Sequence, residues 1–298
     1  MTRIAFIGLG TMGLPMARSL VAAGHDLVAV DADPARTELL AVRSAGTSAE
    51  AAADVEIAIL SLPSPAVVEE VVLGPDGLRV GGTRGLTVID MSTGPPALAR
   101  MIAAELEPAG MQSLDAPVSG GPRGAEAGSL TVMVGGTREA FVGCREPLET
   151  LGSLVVHVGD AGAGQAAKLC NNLVAGTTMA ALAEACALAE REGIAPALLY
   201  ELLTRSTGDS RVLRTRFPMA GADSRHPVAN GYEPLFALDM MAKDLGLALD
   251  LAGTHAVAAP VAEASLARYR EAQESGRGSL DYSAVYSSSR PTPPAPPG

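Results

Sequence analysis

The sequence predicts two unlike halves: an α/β half with a mostly parallel sheet, then an all-helical half, with one long helix at the junction. Three observations predict this. Short continuous apolar runs alternate with helical patterns from residue 3 to about residue 159, as do strands buried on both faces between crossover helices. The first run ends in a glycine-rich turn. After Gly159 no strand-like run follows, and residues 163–192 read as one helical pattern ended by Gly193. A chain of 298 residues suits two domains. They are expected at 1–162 and 163–289, with 290–298 a proline-rich tail that cannot form helix or sheet interior and is expected to be disordered.

The first strand is Ile4–Ile7, and Gly8-Leu9-Gly10-Thr11-Met12-Gly13 follows it. A helical pattern through Met16, Ala17, Leu20 and Val21 stops at Gly24, and Leu27–Val30 reads as a second strand ending in Asp31. Strand, G-x-G-x-x-G, helix, strand and acid in this order form the dinucleotide fingerprint. Gly8 permits the tight turn, Gly10 lets the backbone approach a pyrophosphate, and Gly13 lets helix and strand pack closely. The helix N-terminus then faces the phosphate charge. A carboxylate at Asp31 can bond a ribose 2′-hydroxyl and repels a 2′-phosphate, so NAD is expected over NADP. Arg36 is expected on a solvated helix face. The first domain is thus expected to be Rossmann-like.

Val55–Leu60, Leu86–Ile89, Gln112–Leu114, Leu130–Val134 and Leu154–Val158 continue the alternation, for about seven strands. Ligands of open α/β sheets bind beyond the carboxyl ends of strands. Leu62, Pro63 and Thr93 fall at such ends and are candidates for the nicotinamide side of the cofactor. In Asp115-Ala116-Pro117-Val118-Ser119-Gly120-Gly121, the Ser119 hydroxyl and close-approach backbone N–H groups can hold a small carboxylate. In the second half, Pro196 starts a helix, 207–210 is a loop, Met219–Pro234 is a connector, and Leu235–Leu251 and Val261–Glu274 are helical.

A net charge of −11 argues against a nucleic-acid partner. Three cysteines and four histidines are scattered without ligand spacing, so neither a metal site nor a disulfide framework is expected, and a reducing compartment fits. The N-terminus runs straight into the first strand, so no signal segment is expected. The apolar helical stretch 173–189 is interrupted by Glu184 and reads as a core helix. No membrane partner and a cytoplasmic location are expected.

Of 22 basic residues only Lys168 and Lys243 are lysine. Arg stays protonated, whereas a desolvated lysine ammonium can lose its proton and act as acid or base. Lys168 and Asn172 are four apart on the long helix and share a face, with Asn171 turned about 100° away. The pair suits hydride transfer at a hydroxyl carbon: Lys168 takes the hydroxyl proton and Asn172 holds the substrate. Lys243 either reaches cofactor or substrate, or pairs with Asp239 or Asp244.

Gly8–Ala17, Asp115–Gly121, Gly162–Asn172 and Lys243-Asp244-Leu245-Gly246-Leu247-Ala248 together resemble, in order, the four signature regions of the β-hydroxyacid dehydrogenases. The resemblance spans residues 3 to about 288 and is strongest to the 3-hydroxyisobutyrate-oxidising branch of valine catabolism. It implies Lys168 as the catalytic acid/base and Ser119, Gly120, Gly121 and Asn172 at the substrate. It implies a cofactor set of Gly8, Gly10, Met12, Gly13, Asp31, Leu62, Pro63, Val67, Thr93 and Lys243. It also implies a homodimer or homotetramer built through the helical domain. The implied reaction is NAD-dependent oxidation of a small β-hydroxyacid to its semialdehyde, 3-hydroxyisobutyrate to methylmalonate semialdehyde in the first place. Reduction of tartronate semialdehyde is the alternative, and a non-catalytic nucleotide-binding scaffold is the alternative of another class. One departure bears on substrate: where that branch carries Gly and Trp near the substrate, this chain has Ser206-Thr207-Gly208-Asp209-Ser210-Arg211 and no Trp.

Overall fold

The computed structural model describes residues 1–289; the proline-rich stretch 290–298 lies outside the described residues. The chain divides into two compact units, Met1–Lys168 and the residues from Leu169 onward.

In the first unit the apolar runs become strands β1 (Arg3–Ile7), β2 (Asp26–Val30), β4 (Ile57–Leu60), β5 (Thr87–Asp90) and β6 (Gln112–Asp115), all parallel. They lie in the order β2-β1-β4-β5-β6. The longer strands β8 (Leu130–Gly136) and β9 (Gly152–Gly159) finish the sheet, with β8 antiparallel to β6 and parallel to β9. Two further strands of two residues each were not expected. These are β3 (Arg43–Ser44), beside β2, and β7 (Val118–Ser119), beside β8. Two residues carry no periodicity, so nothing in the sequence marks them. The described residues thus hold nine strands where about seven were expected.

Alternation sends successive side chains to opposite faces. Ile4, Phe6, Ile57 and Ile59 join one buried cluster, in which Met16 and Leu20 of helix α1 (Gly13–Ala22) pack. Ala5, Ile7, Ala58 and Leu60 join the other, with Val68 and Val72 of α2 (Pro65–Leu73) and Leu98, Ile102 and Leu106 of α3 (Pro96–Leu106). Both α2 and α3 begin at a proline, whose missing N–H costs nothing in the first turn.

Helix α4 runs without interruption through Ala163–Arg191, 29 residues. It ends as expected at Gly193 (φ 73°), where Ile194 N–H reaches Ala189 O and Gly193 N–H reaches Glu190 O, the Schellman pairing. Among the described residues it is the one helix long and apolar enough to cross a membrane; half of its apolar window is buried inside the protein.

In the second unit, α5 (Pro196–Thr204), α6 (Arg211–Arg216), α7 (Leu238–Thr254) and α8 (Pro260–Glu274) share a third cluster with α4, around Met179, Cys186, Phe217, Met241, Leu245 and Tyr269. Tyr269, fully buried, donates its hydroxyl to Gly176 O at 3.1 Å. α7 starts three residues later than the apolar pattern suggests. The N–H groups of Leu235 and Phe236 donate instead to Asp281 Oδ2, at 3.1 and 3.2 Å. Asp281, fully buried, also accepts from Ser283 N–H and Oγ–H and pairs with Arg216.

Burial pushes the Cys144 thiol up to about 11 and Cys186 up to about 12, whereas Cys170 is exposed. At pH 8 the native protein should therefore show one thiol per chain reacting rapidly with Ellman's reagent, and three after unfolding in guanidinium. A second rapid thiol in the native state would contradict the packing around Cys144 or Cys186.

Candidate active site

The strand order reverses between β1 and β4, the switch point at which open α/β sheets bind ligands. Gly8 leaves β1 with φ 92°, and its N–H donates to Val30 O. A side chain there would collide with Ser61 O, and one at Gly13 would collide with Gly8 O. These two glycines serve the turn and the packing of α1. Gly10 differs: a Cβ at that position would meet only Arg36 Nη1, at 3.6 Å, so its backbone is open to a ligand. No side chain caps α1. Asp31 Oδ2 accepts from Leu9 N–H at 2.6 Å and Oδ1 from Asp33 N–H at 2.9 Å, which aims the carboxylate from the end of β2 at the glycine turn. An open backbone, an uncapped helix start and an oriented acid can accept a dinucleotide pyrophosphate and ribose. Arg36 is not simply solvated. It leans over Gly10 and pairs with Asp33 at 3.7 Å.

The other strand ends are tied together. Leu62 N–H, beyond β4, donates to Ser92 Oγ at 2.9 Å, and Ser92 N–H to Asp90 Oδ1 at 2.9 Å. Gln165, 1% exposed, brackets Thr93: its amide donates to Ser92 O at 2.9 Å and accepts from Gly94 N–H at 3.0 Å. Asp115, 4% exposed at the end of β6, accepts from Gly162 N–H on Oδ1 and from Gln165 N–H on Oδ2, both at 2.7 Å. Burial raises the Asp115 carboxyl above its ordinary value, and those N–H groups pull part of the way back. Sequence reading passed over Asp115, Gln165 and Ser92. Their signal is only an acid at a strand end and short polar residues beside a motif. Val67 lies in the first turn of α2, where its N–H donates to Ser64 Oγ. Ser119 is on β7 opposite Thr131, and Gly120 (φ 141°) and Gly121 (φ 66°) turn the chain into a short helix.

Lys168 is buried in the first turns of α4, 6% exposed, and Asn172 follows one turn on at 4%. In the second unit Asn172 Nδ2 donates to Asp244 Oδ2 at 2.5 Å, and Lys243 Nζ lies 3.1 Å from Asp244 Oδ1. Of the two acids weighed for Lys243, Asp244 takes it. Asp244, 1% exposed, therefore holds both a proposed substrate residue and a proposed cofactor residue. Asn171 is not remote from Asn172: its Nδ2 donates to Asn172 Oδ1 at 2.9 Å, because an amide is long enough to reach its chain neighbour.

Residues 3–159 match the family model described as the NAD binding domain of 6-phosphogluconate dehydrogenase. Residues 162–288 match the one described as NAD-binding of NADP-dependent 3-hydroxyisobutyrate dehydrogenase. The chain is similar to a Pseudomonas aeruginosa 3-hydroxyisobutyrate dehydrogenase, 42% identical over 96% of this chain and 97% of the relative. It is similar to a P. aeruginosa NAD-dependent L-serine dehydrogenase, 39% identical over 98% and 99%. Among solved structures it resembles a Mycobacterium tuberculosis 3-hydroxyisobutyrate dehydrogenase with L-serine, at TM-score 0.91 and 37% identity over 98% of this chain and 100% of that one.

Asp244→Ala removes the acceptor shared by Asn172 and Lys243. It should lower stability by about 1–3 kcal/mol, seen as an earlier denaturant midpoint. An unchanged midpoint would mean that the two donors find other partners at no cost.

Proposed function

The chain belongs to the β-hydroxyacid dehydrogenase family, and on that premise we propose that it oxidises 3-hydroxyisobutyrate to methylmalonate semialdehyde. Its cofactor is NAD, which accepts a hydride when bound. What supports the catalytic assignment most is the burial of Lys168 in a chain where all but two of the 22 basic residues are Arg. A desolvated amine can take the hydroxyl proton as the carbonyl forms and return it in the reverse direction. Asn172, its amide oriented by Asp244, holds the substrate oxygen. Ser119 with the backbone of Gly120 and Gly121 takes the carboxylate. Leu62, Pro63, Val67 and Thr93 line the nicotinamide side, Gly8, Gly10, Met12 and Gly13 the pyrophosphate, and Lys243 completes the cofactor set.

L-serine is the second reading. It is a β-hydroxyacid of similar size, a relative at 39% identity is named for it, and the 206–211 stretch departs from the 3-hydroxyisobutyrate pattern. For assembly we infer a homodimer or homotetramer through the second unit, whose surface leaves Val174, Leu188 and Val261 each more than 60% exposed. The cytoplasm fits three free thiols. The domain boundary is proposed at 162/163, where α4 begins.

Initial rates of NAD reduction with 3-hydroxyisobutyrate, L-serine, glycerate and 3-hydroxypropionate should rank 3-hydroxyisobutyrate first; L-serine in first place would move the substrate and leave the chemistry. In the same assay Lys168→Ala should lose about 10²-fold or more in kcat while keeping its NADH affinity. Near-normal turnover in that variant would remove Lys168 from the mechanism.

Asp31 sets a further expectation. kcat/KM with NAD should exceed that with NADP by at least about tenfold, because a 2′-phosphate would face a carboxylate. Equal values would show that Arg36, rather than Asp31, governs that end of the site.

A further inference from the structure

Asp115 is a buried carboxylate for which the proton transfer has no use. The helix that carries Lys168 is preceded by Gly162, which has no side chain to cap the first turn; Ala163 N–H finds Asp160 O at 2.9 Å, but the N–H groups of Gly162 and Gln165 take their acceptor from elsewhere in the chain. The cap comes instead from 47 residues earlier in the chain, where the two oxygens of Asp115 accept from Gly162 and Gln165 N–H at 2.7 Å each.

We propose that Asp115 is a positioning residue for the reaction: its carboxylate seats the first turn of α4 against the ends of β6 and β8, and so sets where the Lys168 side chain begins. This rests on the reading of Lys168 as acid and base. Two close approaches make the seat unforgiving. A Cβ at Gly135 would lie 2.5 Å from Asp115 Oδ1 and 2.7 Å from Gly164 N, and one at Gly164 would collide with the carbonyls of Asp115 and Met133. The next residue, Gln165, fixes the loop on both sides of Thr93. Lys168 follows Gln165 by three residues, less than one helical turn, so a shift of the first turn passes to it almost undiminished. A misplacement of about 1 Å at a reacting group can cost on the order of 10²-fold in rate. The carboxylate is required as such. Both its oxygens accept, whereas an amide would turn an NH₂ toward one of the two N–H donors.

The test is a double-mutant cycle of Asp115→Asn with Lys168→Ala, read by kcat, KM, NADH affinity from fluorescence titration, and the melting transition. D115N should keep its melting transition, hold NADH affinity and substrate KM within about threefold, and lose about 10- to 100-fold in kcat. In the K168A background it should cost nothing more, because the group it positions is gone. Gly164→Ala keeps the carboxylate but displaces the same turn by crowding Asp115 O, Met133 O and Asp115 Oδ2, and should give the same pattern should D115N not fold. Turnover of D115N within threefold of wild type overturns the proposal. So does an equal loss in the presence and absence of Lys168, which would make the effect independent of that residue. Loss of the melting transition in both variants overturns it too, by making the seat a requirement of folding. Near-normal turnover of K168A alone would instead refute the assignment of Lys168 on which the proposal rests.

Discussion

Like any helix, α4 leaves its first N–H groups without intrahelical acceptors; Gly162 ahead of it has no side chain to cap them, and while Ala163 N–H finds Asp160 O, those of Gly162 and Gln165 need an acceptor from elsewhere in the chain. Glycine is there because its φ is positive and a bulkier residue would run into Pro96 and Arg100. Asp115 answers that need from the end of β6, with a carboxylate whose own burial is partly offset by the same N–H groups. Around this contact the strand ends are linked one to the next. Gln165 joins α4 to the Ser92–Gly94 loop, and Ser92 joins that loop to Leu62 beyond β4.

The switch point supplies the other half of the cofactor side. β1 and β4 diverge in their connections, so the turns after both open toward one crevice. Three glycines of one motif do different work in it. Gly8 and Gly13 have no room for a side chain, while Gly10 has room and leaves it empty. A bound pyrophosphate needs that opening, and α1 begins there without a side-chain cap.

Acidic residues are pressed into the interior of the helical unit as well, each with its donors. Asp281 gathers the N–H groups of Leu235, Phe236 and Ser283 and so ties the stretch just before α7 to the segment after α8. Asp244 gathers Asn172 and Lys243. In a chain of net charge −11 most acids stay in water, yet these carboxylates organise polar groups that would otherwise be buried unpaired.

The sequence by itself determined the fold class, the glycine fingerprint with its acid, the long helix with its lysine, and both ends of α4. Each is a local signal: an apolar period, a spacing, or a glycine where the backbone needs one. It did not reveal β3 or β7, which are too short to have a period, nor the late start of α7, which Asp281 delays from about 45 residues away in sequence. It placed Lys243 beside two possible partners, and packing chose Asp244. It gave no weight to Asp115, Gln165 or Ser92. Their roles exist only through hydrogen bonds to residues 30 to 73 positions distant, and such pairings arise only when the sheet has brought the strand ends together.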